Sequence, residues 1–384
     1  MNIPTGINAL TGNEAAAVAA ILARVESVSA YPITPQTLLI EYLAKYFAED
    51  KDKRIKFFEN LESEHSMLAH AIAMSHQGVR AFTATSSQGF LYAVEQFHLA
   101  GRTRVPLVMA VVNRSLSNPW NIKTDLNDGM TGRDCGWLQF YCANQQEVFD
   151  TTLLAYKISE QVLLPAMVCY EGFIVSHAAA RVDVSTQKQA DNFLPPFSPD
   201  QNWVLDFNKA RSYFQISDPE MYMRHHFEIE IAMRLAKTLI EAEAQNFSKI
   251  FGREKTGLIE ICGNPQAKTA LVTIGSIGDT AKILAEEKDI LLVRIHSFRP
   301  FPYAALSGAL ADAERVAVVD RACSFGAMPP LAAETMAALG KKNVHSFVAG
   351  LGGVDVTEKT LEKIVDLCAG PVSGESVWMQ EGGE

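Results

Sequence analysis

A chain of 384 residues exceeds what one ordinary hydrophobic core organises and calls for about two domains. With 48% hydrophobic and 20% charged residues it reads as globular, which excludes disordered, collagen-like and coiled-coil classes. The formal net charge of −10, with Lys and Arg scattered rather than gathered into a stripe, disfavours nucleic acid as a partner.

In chain order, "GINALTGNEAAAVAAILARVE" opens with turn residues and continues as an Ala-rich helix that Thr11 or Asn13 can cap. "SVSAYPIT" reads as a short strand. "PQTLLIEYLAKYFAED" reads as a helix with Pro35 in its first turn, where a missing N–H costs nothing. The pattern then repeats: "RIKFFEN" as strand, "ESEHSMLAHAIAMSHQG" as helix ended by Gly78, "VRAFTATS" as strand, "SQGFLYAVEQFHLAGRT" as helix and "PLVMAVVN" as strand. Such alternation with nearly continuous apolar strands predicts a parallel sheet covered on both faces, an α/β architecture.

The polar stretch "RSLSNPWNIKTDLNDGMTGRDCG" reads as a long loop, and loops of this length tend to be functional. "QEVFDTTLLAYKISEQ" and "LPAMVCYEG" return to helix and strand. Ser185 to Tyr213 reads as a linker, followed by a helix from about Asp218 to Phe251. From "KTALVTIGSIGDTAK" onward a second, smaller α/β unit begins, with "ERVAVVDRA" and "KNVHSFVAGLGG" as further strands. No stretch approaches ~18 uninterrupted apolar residues and no basic region followed by an apolar run opens the chain, so no membrane span and a cytoplasmic location are expected. Six cysteines without a CxxC pair predict no metal or iron–sulfur site held by this chain alone.

Three features carry candidate chemistry. Gly275 and Gly278 follow a strand and open a helix, which suits either a phosphate cradle or the steric need for a tight turn. Glu59, Glu62 and Glu64 cluster at a strand-to-helix junction, where acids stabilise a helix N-terminus; a half-buried Glu64 would instead be a proton-transfer group. Arg114 follows an apolar strand directly, at the end where open α/β sheets bind ligands, and its planar fork suits a carboxylate. P-loop, HExxH and GxSxG motifs are absent, which removes support for the common ATPase, zinc protease and hydrolase readings.

"YPITPQT", "ESEHSMLAHAIAMSHQGVRAFTATSSQG", "MAVVNRSLS", "FRPFP" and "GLGGVDVT", in that order, resemble the α subunit of the 2-oxoacid:ferredoxin oxidoreductases, the pyruvate synthase family, over nearly the whole chain. The resemblance implies a thiamine diphosphate enzyme of several subunits that cleaves a 2-oxoacid, with coenzyme A, to an acyl-CoA and CO2 while two electrons pass to iron–sulfur clusters. It implies a doubly wound pyrimidine-binding domain at 1–184, a linker and connecting helix at 185–266, and a transketolase-C-like α/β domain at 267–384. The family's GDG-type diphosphate and Mg2+ motif and its cluster cysteines are missing, so both are expected on partners: a β subunit, with γ and ferredoxin-like subunits and, for an NAD-linked enzyme, a flavin subunit.

Carried over by position, Glu64 matches the glutamate at N1′ of the aminopyrimidine, where a carboxylic acid favours the imino tautomer that accepts the thiazolium proton. Thr34 and Arg114 match the pair holding the substrate's keto oxygen and carboxylate, with Pro32 and Ile33 against the cofactor and Asn113 beside the arginine. The loop departs from the pyruvate pattern. "DLNDGM" keeps Asp125 and Asp128 but has Asn127 where His is expected, and Trp120 adds apolar content, which opens phenylglyoxylate, giving benzoyl-CoA with NAD as final acceptor, beside pyruvate. A non-oxidative thiamine enzyme and a non-catalytic scaffold subunit are the remaining alternatives.

Overall fold

The computed structural model describes residues 3–199, 203–206, 208, 209, 212, 215–340, 343–372 and 374–380. The segment read as turn residues is a strand, β1 (Gly6–Thr11), and Thr11 then caps α1 (Gly12–Leu22). Thr11 and Glu14 form a reciprocal capping box, satisfying N–H groups that no carbonyl inside the helix reaches. Its alanines let α1 lie buried on nearly every side, because small side chains allow neighbouring elements to approach closely.

Strand–helix units follow: β2 (Ser27–Ala30) with α2 (Thr37–Glu49), β3 (Phe57–Asn60) with α3 (Glu64–His76), and β4 (Ala81–Thr85) with α4 (Ser87–Tyr92) and α5 (Val94–Thr103). The single helix expected from Ser87 to Thr103 is thus two, divided at Ala93. Helix α2 starts behind Gln36, so Pro35 lies ahead of the helix rather than in its first turn. After β5 (Val108–Asn113) the long loop contains α6 (Asn127–Thr131) and is followed by an unanticipated strand, β6 (Leu138–Tyr141), before α7 (Gln145–Val162) and β7 (Ala166–Glu171). Strand β8 (Ala179–Val184) pairs antiparallel with β1 as a separate ribbon.

Next come α8 (Gln187–Phe193) and the 33-residue α9 (Pro219–Phe251), which Asp218 caps and Gly252 closes at φ +70°. Helix α8 falls within the expected linker, of which residues 200–202, 207, 210, 211 and 213 lie outside the described ones. The remaining elements are β9 (Ile259–Gly263), β10 (Thr269–Ile274), α10 (Ile277–Glu287), β11 (Leu291–Ile295), β12 (Ser297–Arg299), α11 (Tyr303–Ala309), β13 (Arg315–Asp320), α12 (Pro330–Leu339), β14 (Asn343–Val348), α13 (Glu358–Leu367) and β15 (Val377–Trp378).

The chain is an α/β protein with two large sheets. The first runs β12-β6-β7-β5-β4-β2-β3 and the second β15-β14-β13-β10-β11-β9, each parallel apart from one antiparallel edge strand, β12 and β9 respectively. Those edges depart from the expected division: β9, read as linker, belongs to the second sheet, and β12, read within the C-terminal unit, completes the first by pairing Ser297 with Phe140. Arg294 of β11, with no exposed side chain, binds Glu147 of α7 and Glu260 of β9 (2.7 Å), so one guanidinium ties both layers together.

A second buried ion pair holds the first layer. Arg80 donates two parallel hydrogen bonds to Glu160, at 2.6 and 2.9 Å, and two more to the carbonyls of Ala23 and Pro195. Arg80→Ala leaves Glu160 without its hydrogen-bonded partner, only the field of Lys157 remaining, and loss of one partner of such a pair costs about 3–5 kcal/mol. The expected result is a correspondingly lower urea midpoint at unchanged slope.

Candidate active site

Four loops leave the carboxyl end of the first sheet: Thr34 after β2, Glu64 after β3, Gln88 and Gly89 after β4, and Arg114 after β5. Ligands of open parallel sheets bind at that end. The turn after β2 closes through the Gln36 N–H on the Ile33 carbonyl at 2.9 Å, and its Thr34–Pro35 peptide is cis. Gln36, buried, donates to the Tyr31 carbonyl at 2.8 Å and anchors the turn, while Pro32 and Thr34 stay exposed and Ile33 half-buried.

Glu64 is the first residue of α3, but Ser63 does the capping by accepting the Ser66 N–H at 3.2 Å. The Glu64 carboxyl, 6% exposed, is therefore spare: among the described residues it receives only its own backbone N–H. Gly89 sits against it so closely that a Cβ there would lie 2.4 Å from Glu64 Oε1 and 2.7 Å from Thr85 Oγ1, a buried hydroxyl without a partner. Glu59 and Glu62 are exposed and take no part.

Burial pushes the Glu64 pKa up. An acid whose folded pKa exceeds its unfolded value destabilises the fold once pH rises above the unfolded value, because the folded chain must release a proton it holds more tightly. Glu64→Gln should therefore raise the thermal midpoint near neutral pH, and the gain should shrink as pH falls into the ordinary carboxylate range.

Arg114, 8% exposed, donates from Nη1 to the Thr34 carbonyl at 2.9 Å, and Nη2 lies 3.5 Å from Gln88 Oε1. Its Nε is buried without a partner, and among the described residues no carboxylate forms an ion pair with the guanidinium, Asp128 acting on it only through its field. Burial works against its charge, which an anionic ligand would relieve. Asp128, directly beneath, takes the Arg114 backbone N–H at 3.0 Å instead.

One family model, described as pyruvate flavodoxin/ferredoxin oxidoreductase, thiamine diP-bdg, matches residues 18–245, and a second, pyruvate:ferredoxin oxidoreductase core domain II, matches residues 267–361. The chain belongs to the 2-oxoacid:ferredoxin oxidoreductase family. It is 39% identical over 366 residues to pyruvate synthase subunit PorA of Methanothermobacter thermautotrophicus, covering 94% of each chain. It is 37% identical over 383 residues to ketoisovalerate oxidoreductase subunit VorA of Pyrococcus furiosus, covering 96% of each. The solved 2-oxoglutarate:ferredoxin oxidoreductase from Magnetococcus marinus, with 2-oxoglutarate, coenzyme A and succinyl-CoA bound, shares the fold at a TM-score of 0.72 and 17% identity over 94% of this chain. The chain spans 65% of that one.

In this oxidoreductase subunit the loop residues separate by role. Asn113 and Asp128 bond each other at 2.7 Å, Asp125 accepts the Asn127 N–H at 3.1 Å, and Asn127 Oδ1 accepts the Cys323 N–H at 3.0 Å. These four side chains hold the loop together and to the segment after β13; Trp120 is 70% exposed. The Gly275 turn is no phosphate cradle. Glu171 fills it, accepting the Ser276 N–H and hydroxyl at 3.0 Å each, and a Cβ on Gly275 would lie 2.5 Å from that carboxylate. Sequence reasoning missed Gln88 and Gly89; the signal available was "SSQG" at a strand end, the same placement that singled out Arg114.

Proposed function

We propose that this chain supplies the aminopyrimidine half of a thiamine diphosphate site, within a complex that oxidatively decarboxylates a 2-oxoacid with coenzyme A to acyl-CoA and CO2. Two electrons pass to iron–sulfur clusters on partner subunits, and a β-type partner brings the diphosphate and Mg2+ half. One observation carries the reading: a bare buried carboxyl, Glu64, after β3, and a buried guanidinium without an ion-pair partner among the described residues, Arg114, after β5, stand at the carboxyl edge of one sheet, with the β2 and β4 loops between them.

These residues fit the pyrimidine half. Among the described residues the Glu64 carboxyl has no side-chain donor, Gly89 lets it lie directly against the backbone of the β4 loop, and the Thr85 hydroxyl has no partner. When bound, the cofactor supplies the carbon nucleophile and the electron sink that decarboxylation requires. Glu64, its pKa raised, holds a proton for N1′ of the ring. Arg114 binds and orients the substrate carboxylate, and Thr34, on an anchored turn, presents its hydroxyl to the keto oxygen without an ordering cost at binding.

The substrate class we assign is a short aliphatic 2-oxoacid, pyruvate or 2-oxoisovalerate. Support comes from the relatives' names and from the two residues that had argued for phenylglyoxylate: Asn127 is committed to Cys323, and Trp120 makes no hydrogen bond or ring contact among the described residues. The test is a panel of pyruvate, 2-oxoisovalerate, indolepyruvate and phenylglyoxylate with coenzyme A and a viologen dye, using the assembled complex. Preference for phenylglyoxylate would overturn the substrate assignment. The chain purified alone should neither turn over nor retain thiamine diphosphate, and turnover by it would overturn the split site.

A further inference from the structure

Asp128 has no exposed surface, yet it touches two of the loops that build the site. Its Oδ2 accepts the Ser87 N–H at 2.9 Å and the Arg114 N–H at 3.0 Å, while Oδ1 accepts Asn113 Nδ2 and the Gly129 N–H, both at 2.7 Å. All four groups are donors. A carboxylate suits them, whereas an amide would have to aim its own NH2 at an N–H.

Ser87 sits at φ +49°, a left-handed conformation that a non-glycine residue holds only where its surroundings impose it. The Asp128 bond is one such constraint, and the contact of Ser87 Oγ with the Ser115 carbonyl at 2.6 Å is another. From Ser87 the chain passes at once to Gln88, which faces the Arg114 guanidinium, and to Gly89, on which Glu64 rests. Gly129 seats the carboxylate: a Cβ there would lie 2.8 Å from Tyr141 Oη and 3.0 Å from Asn113 Nδ2.

We propose that Asp128 is a positioning residue for the 2-oxoacid reaction, one buried carboxylate that pins the Ser87–Gly89 turn and the Arg114 backbone to a common point. The guanidinium and the wall behind Glu64 thereby keep a fixed relation. This rests on the reading under Proposed function.

Burial pushes the Asp128 pKa up to about 6, with its hydrogen bonds opposing. The other titratable groups facing it are Arg114, Asp125, Tyr141 and Cys169; burial holds the tyrosine and the thiol well above their ordinary values, and Asp125 is also raised. Protonating Asp128 removes an acceptor from N–H groups that have no other among the described residues. The KM for the 2-oxoacid should therefore climb as pH falls through about 6.

The experiment compares Asp128→Asn with the unaltered complex. Expected are a KM for the 2-oxoacid raised at least about tenfold, in line with loss of one hydrogen bond to a charged group, an unchanged KM for coenzyme A, and loss of the acid-side climb, which Asp125→Asn should retain. Asp320→Asn is the control for a merely structural role. That buried carboxylate also accepts two main-chain N–H groups, from Leu331 at 2.9 Å and Ala332 at 3.0 Å, and its loss should move the thermal midpoint but neither KM. Wild-type KM and a persisting acid climb in Asp128→Asn would overturn the proposal. Should that variant not fold, the unaltered complex decides: a 2-oxoacid KM that stays flat through pH 6 overturns it, and a climb supports it. Glu64→Gln, run alongside, separates the two readings, since its full activity would overturn the thiamine reading itself.

Discussion

Glu64→Gln in the assembled complex is expected to lower 2-oxoacid-dependent dye reduction by roughly 10²–10⁴-fold, the usual contribution of a positioned proton-transfer group. The substitution keeps the shape and removes the ionisable proton, so the subunits should co-purify in unchanged proportion. The geometry makes the effect specific. Ser63 already caps α3, so Glu64 is not needed to start the helix, and its carboxyl has no structural partner to lose. A variant that is less active only because it unfolds more readily is excluded by the opposite expectation for its thermal midpoint near neutral pH. Full activity in the intact complex would sink the assignment.

Arg114→Ala should act on the substrate rather than on the cofactor. Hydrogen bonds to charged groups contribute about 1.5–3 kcal/mol each, so losing the fork should reduce kcat/KM for the 2-oxoacid by roughly 10- to 100-fold per bond, with the KM for coenzyme A unchanged. Arg114→Lys restores the charge without the planar pair of donors and should recover only part of the loss. The Thr34 carbonyl loses its Arg114 partner in the alanine variant, but it is near solvent and water can replace the bond. An unchanged 2-oxoacid KM in Arg114→Ala would remove the arginine from substrate binding.

What could be read beforehand follows from which physical signals are local. The parallel units of the first sheet were legible because β5 is buried on both faces and appears as a nearly apolar run, while β2 and β4 are short, fully buried stretches of mostly small and β-branched residues between helical periods. Strand β1 was not, because "GINALT" is half exposed and is a strand only by virtue of pairing with β8, some 170 residues away. Strands β6 and β12 are four and three residues long and stabilise each other across the two units, which no window along the chain reports.

The same distinction applies to the site. Glu64 and Arg114 announced themselves as charges placed at the ends of apolar strands. Asp128 entered only through the loop pattern of the resembling family, since an acid in a polar, Gly- and Asn-rich stretch looks solvated, and the fold is what shows it buried beneath four donors. Trp120, which the sequence offers only as added apolar content in the loop, is 70% exposed in the chain.

The β12 strand also bears on how such an enzyme can be divided among genes. Cutting the polypeptide near residue 266 would strip β6 of its outer neighbour and leave Leu138–Tyr141, buried in the intact chain, as an open and apolar border. An uncovered border of that kind recruits other chains and aggregates. A break in the chain near residue 266 would therefore have to leave β12 docked on β6 to keep that border covered.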